Sequence, residues 1–278
     1  MSRIYAEHWK DYELIDAGGN KKLERWGDVI TIRPERNAYF GSKITHDEWK
    51  QKAHFEFIET SSTKGKWTAL KEDLPTTWNI NYQDLTFKLE LTHFKHLGLF
   101  PEQSMNWKFI AEQLTEGQKF LNLFAYTGAA SIVARKAGAD VFHCDSVRQI
   151  ISWGKENMQL SGVEDIHWVL EDAVKFAQRE VKRGKKYNGI IMDPPAFGLG
   201  AKKERWKIEH KIQELLETVL ELKSDTGFIV INTYSPKLKE FDMIKLLQQN
   251  QLTGGVDTLC MKTTTGKVLE YGLRTVIY

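Results

Sequence analysis

The rhythm of apolar positions along this chain of 278 residues changes near residue 85. Before that point apolar residues come in short runs separated by turn residues. YELID (12–16) leads into Gly18-Gly19-Asn20, a hairpin signal, and KLERW (22–26) leads into Gly27-Asp28 before VITIRP (29–34). HFEFIE (54–59) and KWTAL (66–70) read as a further pair around Ser61-Ser62-Thr63-Lys64-Gly65, and WNINYQDLTFKLEL (78–91) continues in the same style. The pattern predicts a small antiparallel β domain over residues 1–85. Pro101 then stands where a helix can begin, because the first turn does not need its missing N–H. Met105, Phe109, Ile110 and Leu114 follow at helical spacing.

From Lys119 onward strands and helices alternate. FLNLF (120–124) is a near-continuous apolar run, as a strand covered on both faces requires. Residues 128–137 read as a helix, DVFHCD (140–145) as a strand, 147–160 as an amphipathic helix and IHWVL (166–170) as a third strand. A helix over 173–183, a strand NGIIMD (188–193), a helix over 206–222, a strand FIVINTY (228–234) and a helix over 241–250 complete the series. The end, 256–278, reads as an antiparallel hairpin turned at Thr265-Gly266-Lys267. Regular alternation predicts an α/β fold: a Rossmann-like, mostly parallel open sheet with helices on both faces over residues 86–278. Residues 198–206 (GLGAKKERW) are left as a charged, glycine-containing loop.

Composition narrows the class without naming it. A net charge of +2 is nearly balanced, so bulk charge does not mark a nucleic-acid binder, although local patches can. Two cysteines, Cys144 and Cys260, supply neither a disulfide framework nor a metal cluster. No apolar run is long enough to span a membrane, and the charged, aromatic N-terminus is not a signal peptide. The expectation is a soluble, cytoplasmic protein without a metal, and nothing in the chain sets its oligomeric state.

The chemistry gathers between Lys119 and Phe197. In an open α/β sheet the ligand sits beyond the C-terminal strand ends, where the strand order reverses. The turn after the first strand, with Phe124, Tyr126, Thr127 and Gly128, supplies one wall. Gly128 lacks a Cβ and would let backbone approach a ligand. Asp145, followed by Ser146, ends the second strand, where a carboxylate can accept the hydroxyls of a ribose. Asp172 follows the third strand, where it can face an adenine amine or simply cap the next helix. Asp193-Pro194-Pro195 ends the fourth. The prolines take the backbone out of the sheet abruptly and aim Asp193 into the crevice. Phe197 just beyond can stack on a planar group. Tyr234 and Ser235, after the fifth strand, are candidates to line an acceptor pocket. Two acids and an Asp-Pro-Pro in this order point to S-adenosylmethionine (SAM) rather than a nicotinamide cofactor.

Together NLFAYTGAAS (122–131), HCDSVRQIISWGKEN (143–157), EDAVKF (171–176) and DPPAFG (193–198) resemble class I SAM-dependent methyltransferases. More narrowly the chain is similar to bacterial large-subunit ribosomal RNA cytosine-C5 methyltransferases and their relatives, over roughly 85–240. HLGLFPEQ (96–103) also resembles a segment that lies against the cofactor in that group. The resemblance implies SAM as cofactor, with Asp145 on the ribose, Asp172 near the adenine and Phe124 to Gly128 near the methionine end. One departure matters. Cytosine C5 is not nucleophilic until a thiolate adds at C6. The group's cysteine follows the fifth strand, where this chain reads Ile231-Asn232-Thr233-Tyr234-Ser235-Pro236. Direct transfer to a nitrogen or oxygen is the simpler expectation, with Asp193 holding an amine or taking its proton.

The resemblance implies an RNA substrate, and Lys202-Lys203-Arg205-Lys207 and Lys182-Arg183-Lys185-Lys186 offer charge for phosphates. Methylation of a small molecule or a protein, or SAM binding without catalysis, are the alternatives.

Overall fold

The computed structural model describes residues 2–61, 64–199 and 205–278, with Leu199 described through its backbone. The chain forms two compact units. One comprises Met1–Ile4, Met105–Leu259 and Gly272–Tyr278; the other comprises Tyr5–Ser104 and Cys260–Tyr271. The second unit therefore runs past residue 85 and takes in the tip of the C-terminal hairpin. No helix among the described residues is long and apolar enough to cross a membrane.

The chain begins with β1 (Ser2–Ala6), the edge strand of the large sheet. The smaller unit is built on β2 (Tyr12–Gly18), β3 (Lys21–Trp26), β4 (Val29–Pro34), α1 (His46–Lys52), β5 (Phe55–Glu59) and β6 (Gly65–Ala69), with the sheet in sequence order. Its pairings are antiparallel except β4–β5, which is parallel because α1 makes the crossover between them. Thr45 starts α1 with a capping box: its hydroxyl accepts the Glu48 N–H at 3.3 Å, and the Glu48 carboxylate accepts the Thr45 N–H at 3.0 Å. Trp49 is thereby turned into the core against Leu23, Ile32 and Ala53. The hairpin β7 (Thr77–Tyr82) and β8 (Leu85–Glu90) follows.

A buried charge cluster ties this unit together. Glu24 is fully buried and accepts from Arg33 at 2.7 and 2.9 Å and from the Tyr12 hydroxyl at 2.9 Å, with Lys22 3.2 Å away. Burial alone would raise the Glu24 carboxyl. The Arg33 charge, then that of Lys22, outweighs it and holds the pKa at about 2. Such pairs cost desolvation to form, but removing one partner strands the other charge in a dry site.

The larger unit contains α2 (Ser104–Gln113), β9 (Lys119–Leu123), α3 (Ala129–Lys136), β10 (Asp140–Asp145), α4 (Arg148–Leu160), β11 (Ile166–Leu170), α5 (Ala173–Lys182) and β12 (Tyr187–Met192). Then come β13 (Phe197–Leu199), β14 (Arg205–Lys207), α6 (Ile208–Leu220), β15 (Lys223–Thr233), α7 (Glu240–Gln249), β16 (Gly254–Lys262) and β17 (Val268–Ile277). The sheet order is β1-β16-β17-β15-β12-β9-β10-β11. Strands β9 to β12 and β15 run parallel, and β17 is antiparallel to β15. The chain leaves β9 toward β10 and β11, then returns to β12 on the other side of β9. That reversal is the switch point of the sheet.

Alternation along β9 explains the layers. Leu121 and Leu123 join the core formed with Phe176 of α5, Leu216 of α6 and Leu247 of α7. Asn122 points the other way and donates to Ser131 of α3 at 3.0 Å. The helix expected over 206–222 starts two residues later, at Ile208. Trp206 belongs instead to β14, paired with β13 across part of the expected loop.

Glu24→Gln is expected to lower stability by about 3 kcal/mol in denaturant unfolding, because Arg33 loses its buried counter-charge. The contribution of Glu24 is fully present above the unfolded carboxyl pKa of 4.5 and is lost as pH falls toward about 2.

Candidate active site

β9 ends at Leu123, and the turn that follows opens at the switch point. Phe124 and Tyr126 have φ of +57° and +52°, and Gly128 has +89°. Left-handed backbone at a bulky residue costs about 1–3 kcal/mol and persists only where neighbours impose it. Here the Ala125 N–H donates to the Cys144 carbonyl at 3.1 Å and the Tyr126 N–H to Asp145 Oδ2 at 3.0 Å. Asn157, buried on α4, donates to the Thr127 carbonyl at 3.0 Å. Gly128 caps α3. A Cβ on it would lie 3.5–3.6 Å from the rings of His143 and Trp168, which is ordinary contact. Its left-handed φ by itself favours glycine there.

Asp145 closes β10 half-buried, and its other oxygen accepts the Val147 N–H at 2.9 Å. Burial raises its carboxyl above the ordinary value, against the backbone N–H groups of Val147, Tyr126 and Ser146. Ser146 itself is exposed. Beside Asp145 lie two apolar side chains that the sequence reading passed over. Val147 is 45% exposed and Leu170, paired with Asp145 across the sheet, is 42% exposed. Their signal in the sequence is faint: an apolar residue beside an acid where a strand has already ended. Asp172 caps α5, its Oδ1 accepting the Lys175 N–H at 3.0 Å.

Across the switch point, Asp193 leaves β12 half-buried, Pro194 is buried and Pro195 is exposed. Phe197 is 72% exposed at the start of β13, in register with Lys207. After β15 come Tyr234, half-buried, and Ser235, buried, whose hydroxyl accepts the Lys237 N–H at 3.3 Å. A Cβ on Gly272 would come within 2.8 Å of the Tyr234 ring and 2.7 Å of the Thr233 carbonyl, so glycine seats that tyrosine. The parallel strands bring all these turns to one edge of the sheet.

Charge is distributed less simply than the sequence suggests. Lys182, Arg183, Lys185 and Lys186 are exposed but lie just before β12, at the strand ends opposite the site. They lie a strand's length, roughly 20 Å, from an acceptor bound there. Arg205 and Lys207 are exposed on β14 beside Phe197, whereas Lys202 and Lys203 lie outside the described residues.

Below the turn, His143 is fully buried with its Nδ1 3.0 Å from the Ser131 hydroxyl, which also accepts from Asn122. Burial drives the His143 pKa down to about 3, so the ring is neutral. Cys144 points to the opposite face, and burial, aided by Glu171, Asp145 and Asp172, pushes its thiol up to about 12. Cys260 is also buried. Among the described residues, no three His, Cys, Asp or Glu side chains gather as a metal site.

The family model for S-adenosylmethionine-dependent methyltransferases matches residues 55–239. This chain belongs to that family. It is 33% identical to the SAM-dependent methyltransferase of Agrobacterium tumefaciens, whose crystal structure superposes with a TM-score of 0.90 over 100% of this chain and 96% of that one. Ribosomal RNA large subunit methyltransferase K/L of Shewanella frigidimarina (strain NCIMB 400) is 31% identical over 177 residues, covering 63% of this chain and 25% of that protein. The chain thus spans about a quarter of the length of the curated relatives it matches. SMU.776, solved in complex with SAH, shares the fold at 16% identity and a TM-score of 0.71, over 94% of this chain and 72% of that one.

The residues at the switch point suit the cofactor of a SAM-dependent methyltransferase. An ionised carboxylate offers about four acceptor positions, more than the backbone donors of Asp145 fill, so it can still accept from hydroxyls. Exposed Val147 and Leu170 beside it provide apolar surface that a purine ring would cover. In the methyltransferase, His143 is held neutral while the unfolded chain protonates it below its ordinary pKa of 6.5. Its contribution is fully present above 6.5 and is lost as pH falls toward about 3. Urea unfolding is therefore expected to show a loss of about 2 kcal/mol from this group between about pH 7.5 and about pH 5. His143→Gln should flatten that slope.

Proposed function

We propose that this methyltransferase acts in the cytoplasm on RNA, by direct methyl transfer to a nitrogen or oxygen of a base. The observation that carries the transfer mode is the position of the thiols. The β15 turn has Tyr234 and Ser235 where a covalent mechanism would need a cysteine, and Cys144 is buried with a pKa of about 12. Without a thiolate, the acceptor must be nucleophilic itself. Exposed Phe197 beside Asp193-Pro194-Pro195, flanked by Arg205 and Lys207, suits a stacked base and its phosphates. The names of the ribosomal RNA relatives support the same substrate class.

SAM supplies an activated methyl on a sulfonium, which leaves as a neutral thioether once the methyl has gone. The chain's part is to hold, orient and exclude water. In this reading Asp145 accepts from the ribose hydroxyls, and Asp172 faces the adenine with the oxygen that does not cap α5. The turn from Phe124 to Gly128, with Tyr126 and Thr127, borders the methionine end. Asp193 holds the acceptor N–H or O–H and takes its proton as the lone pair bonds to the methyl. Pro194 and Pro195 fix the direction of that carboxylate, and Tyr234 and Ser235 border the acceptor.

Asp145→Ala is expected to weaken SAM binding about 100-fold by calorimetry, the loss of two charge-assisted hydrogen bonds; unchanged affinity would remove Asp145 from the site. Labelled methyl from SAM is expected to appear in RNA purified from cells lacking this protein, on a nitrogen or oxygen after digestion. RNA containing 5-fluorocytosine should give no covalent adduct. Label confined to protein or to small molecules would overturn the RNA assignment, and a trapped adduct would overturn direct transfer.

A further inference from the structure

Trp206 is absent from the site as the sequence frames it, yet it touches both halves. Its indole N–H donates to the Pro195 carbonyl at 2.6 Å, and its ring lies 6.1 Å from that of Phe124 at an angle of 48°. Phe124 is the first left-handed residue of the turn after β9, and Pro195 belongs to the turn after β12. These are the two sides of the switch point. The second turn needs such a tie. Pro194 and Pro195 have no N–H, so two successive residues cannot donate to the sheet. The segment is fastened through its carbonyls instead: Pro195 accepts from Trp206, and Ala196 accepts the Ile208 N–H at 3.1 Å. Trp206 is itself held by the β13–β14 pairing, opposite Gly198, and by packing on the same core as Phe124.

We propose that Trp206 is a positioning residue for methyl transfer, setting the separation between the turn that borders the methyl group and the turn that carries Asp193. This rests on the assignment of the two turns given above. Its indole bridges the two turns from the side of β14 and needs no contact with the cofactor's ribose or adenine. Loss of the bridge therefore leaves cofactor affinity in place and lets Asp193-Pro194-Pro195 drift relative to the methyl. A displacement on the order of 1 Å can cost about 100-fold in rate. A tryptophan that merely covered the edge of the core would behave differently. Its removal would lower stability and cofactor affinity together, and phenylalanine, which covers the core as well, would restore both.

The test compares wild type, Trp206→Phe and Trp206→Ala as full-length proteins. RNA, protein and small-molecule fractions of an extract from cells lacking this protein are offered with labelled SAM, and whichever fraction wild type labels becomes the acceptor. Calorimetry with S-adenosylhomocysteine and thermal unfolding run alongside. Trp206→Phe keeps the ring and loses the N–H. It is expected to bind S-adenosylhomocysteine within about threefold of wild type and to unfold near the same temperature, with the rate at saturating SAM down about tenfold; Trp206→Ala should lose about 100-fold. A wild-type rate in Trp206→Phe, or a rate loss matched by weaker S-adenosylhomocysteine binding and abolished at saturating SAM, would overturn the positioning role. Label in protein rather than RNA would defeat the substrate assignment while leaving the comparison of variants intact. No transfer by wild type to any of the three fractions would overturn methyl transfer, and the role of Trp206 with it.

Discussion

The hydrogen bond from the Tyr126 N–H to the Asp145 carboxylate is the constraint around which the site is organised. It joins the end of β9 to the end of β10, strands that the sheet already holds side by side. Two aromatic residues in left-handed backbone would relax to extended conformations in an isolated turn. Here the turn is pinned at its start by the Cys144 carbonyl, in its middle by Asp145 and beyond that by Asn157. The strain is distributed over a rigid frame of parallel strands, and the left-handed residues turn the chain sharply into α3. Phe124 is then directed toward Trp206, and the other half of the site follows from that contact.

The same carboxylate carries a conflict between folding and binding. Burial raises its pKa, so the ionised form of Asp145 sits in a place that favours the protonated one. The backbone N–H groups it accepts reduce that cost without removing it. By linkage, a raised carboxyl contributes stability below its unfolded pKa and loses it as pH rises. An acid that served the fold alone would be better placed elsewhere or neutral. In the proposed role, an acid that accepts hydroxyls from a ligand waits partly desolvated, and the ligand supplies the donors that water no longer does. Glu24 in the smaller unit shows the contrast: it too is buried, but Arg33 and Lys22 answer its charge, and its pKa falls to about 2.

What the sequence made legible was the part written in periodicity and strand ends. FLNLF, DVFHCD, IHWVL and NGIIMD all became parallel strands of one sheet, and Asp145, Asp172 and Asp193 all fell at their C-terminal ends. Tertiary pairing was not legible. Trp206 reads as the start of an amphipathic helix because Ile208, Ile212, Leu215 and Leu216 follow close behind it at helical spacing, and only the pairing of Gly198 with Trp206 draws it into a strand. Val147 and Leu170 are apolar residues that the fold leaves exposed, which no hydrophobic pattern can announce. The cluster at Lys182 to Lys186 falls at the opposite strand ends for a related reason. Charge is visible in a sequence, but which end of a strand it occupies matters only once the sheet is assembled. The division near residue 85 followed the change of rhythm, whereas the compact units also draw residues from the far end of the chain.

The period of a strand also settles what the cysteine can do. Successive side chains on β10 face opposite sides of the sheet. His143 goes with α3 and Asp145 closes the strand at the switch-point edge, so Cys144 between them must enter the other core, where it donates weakly to the Glu171 carbonyl at 3.4 Å. Moving that thiol toward an acceptor would require a one-residue slip that carries Asp145 out of position. The chain can keep the carboxylate or expose the thiol, but not both. In the proposed direct transfer, the bond-making electrons come from the acceptor. The fold's remaining task is geometric: to hold a lone pair in line with the methyl between two turns that only a few side chains span.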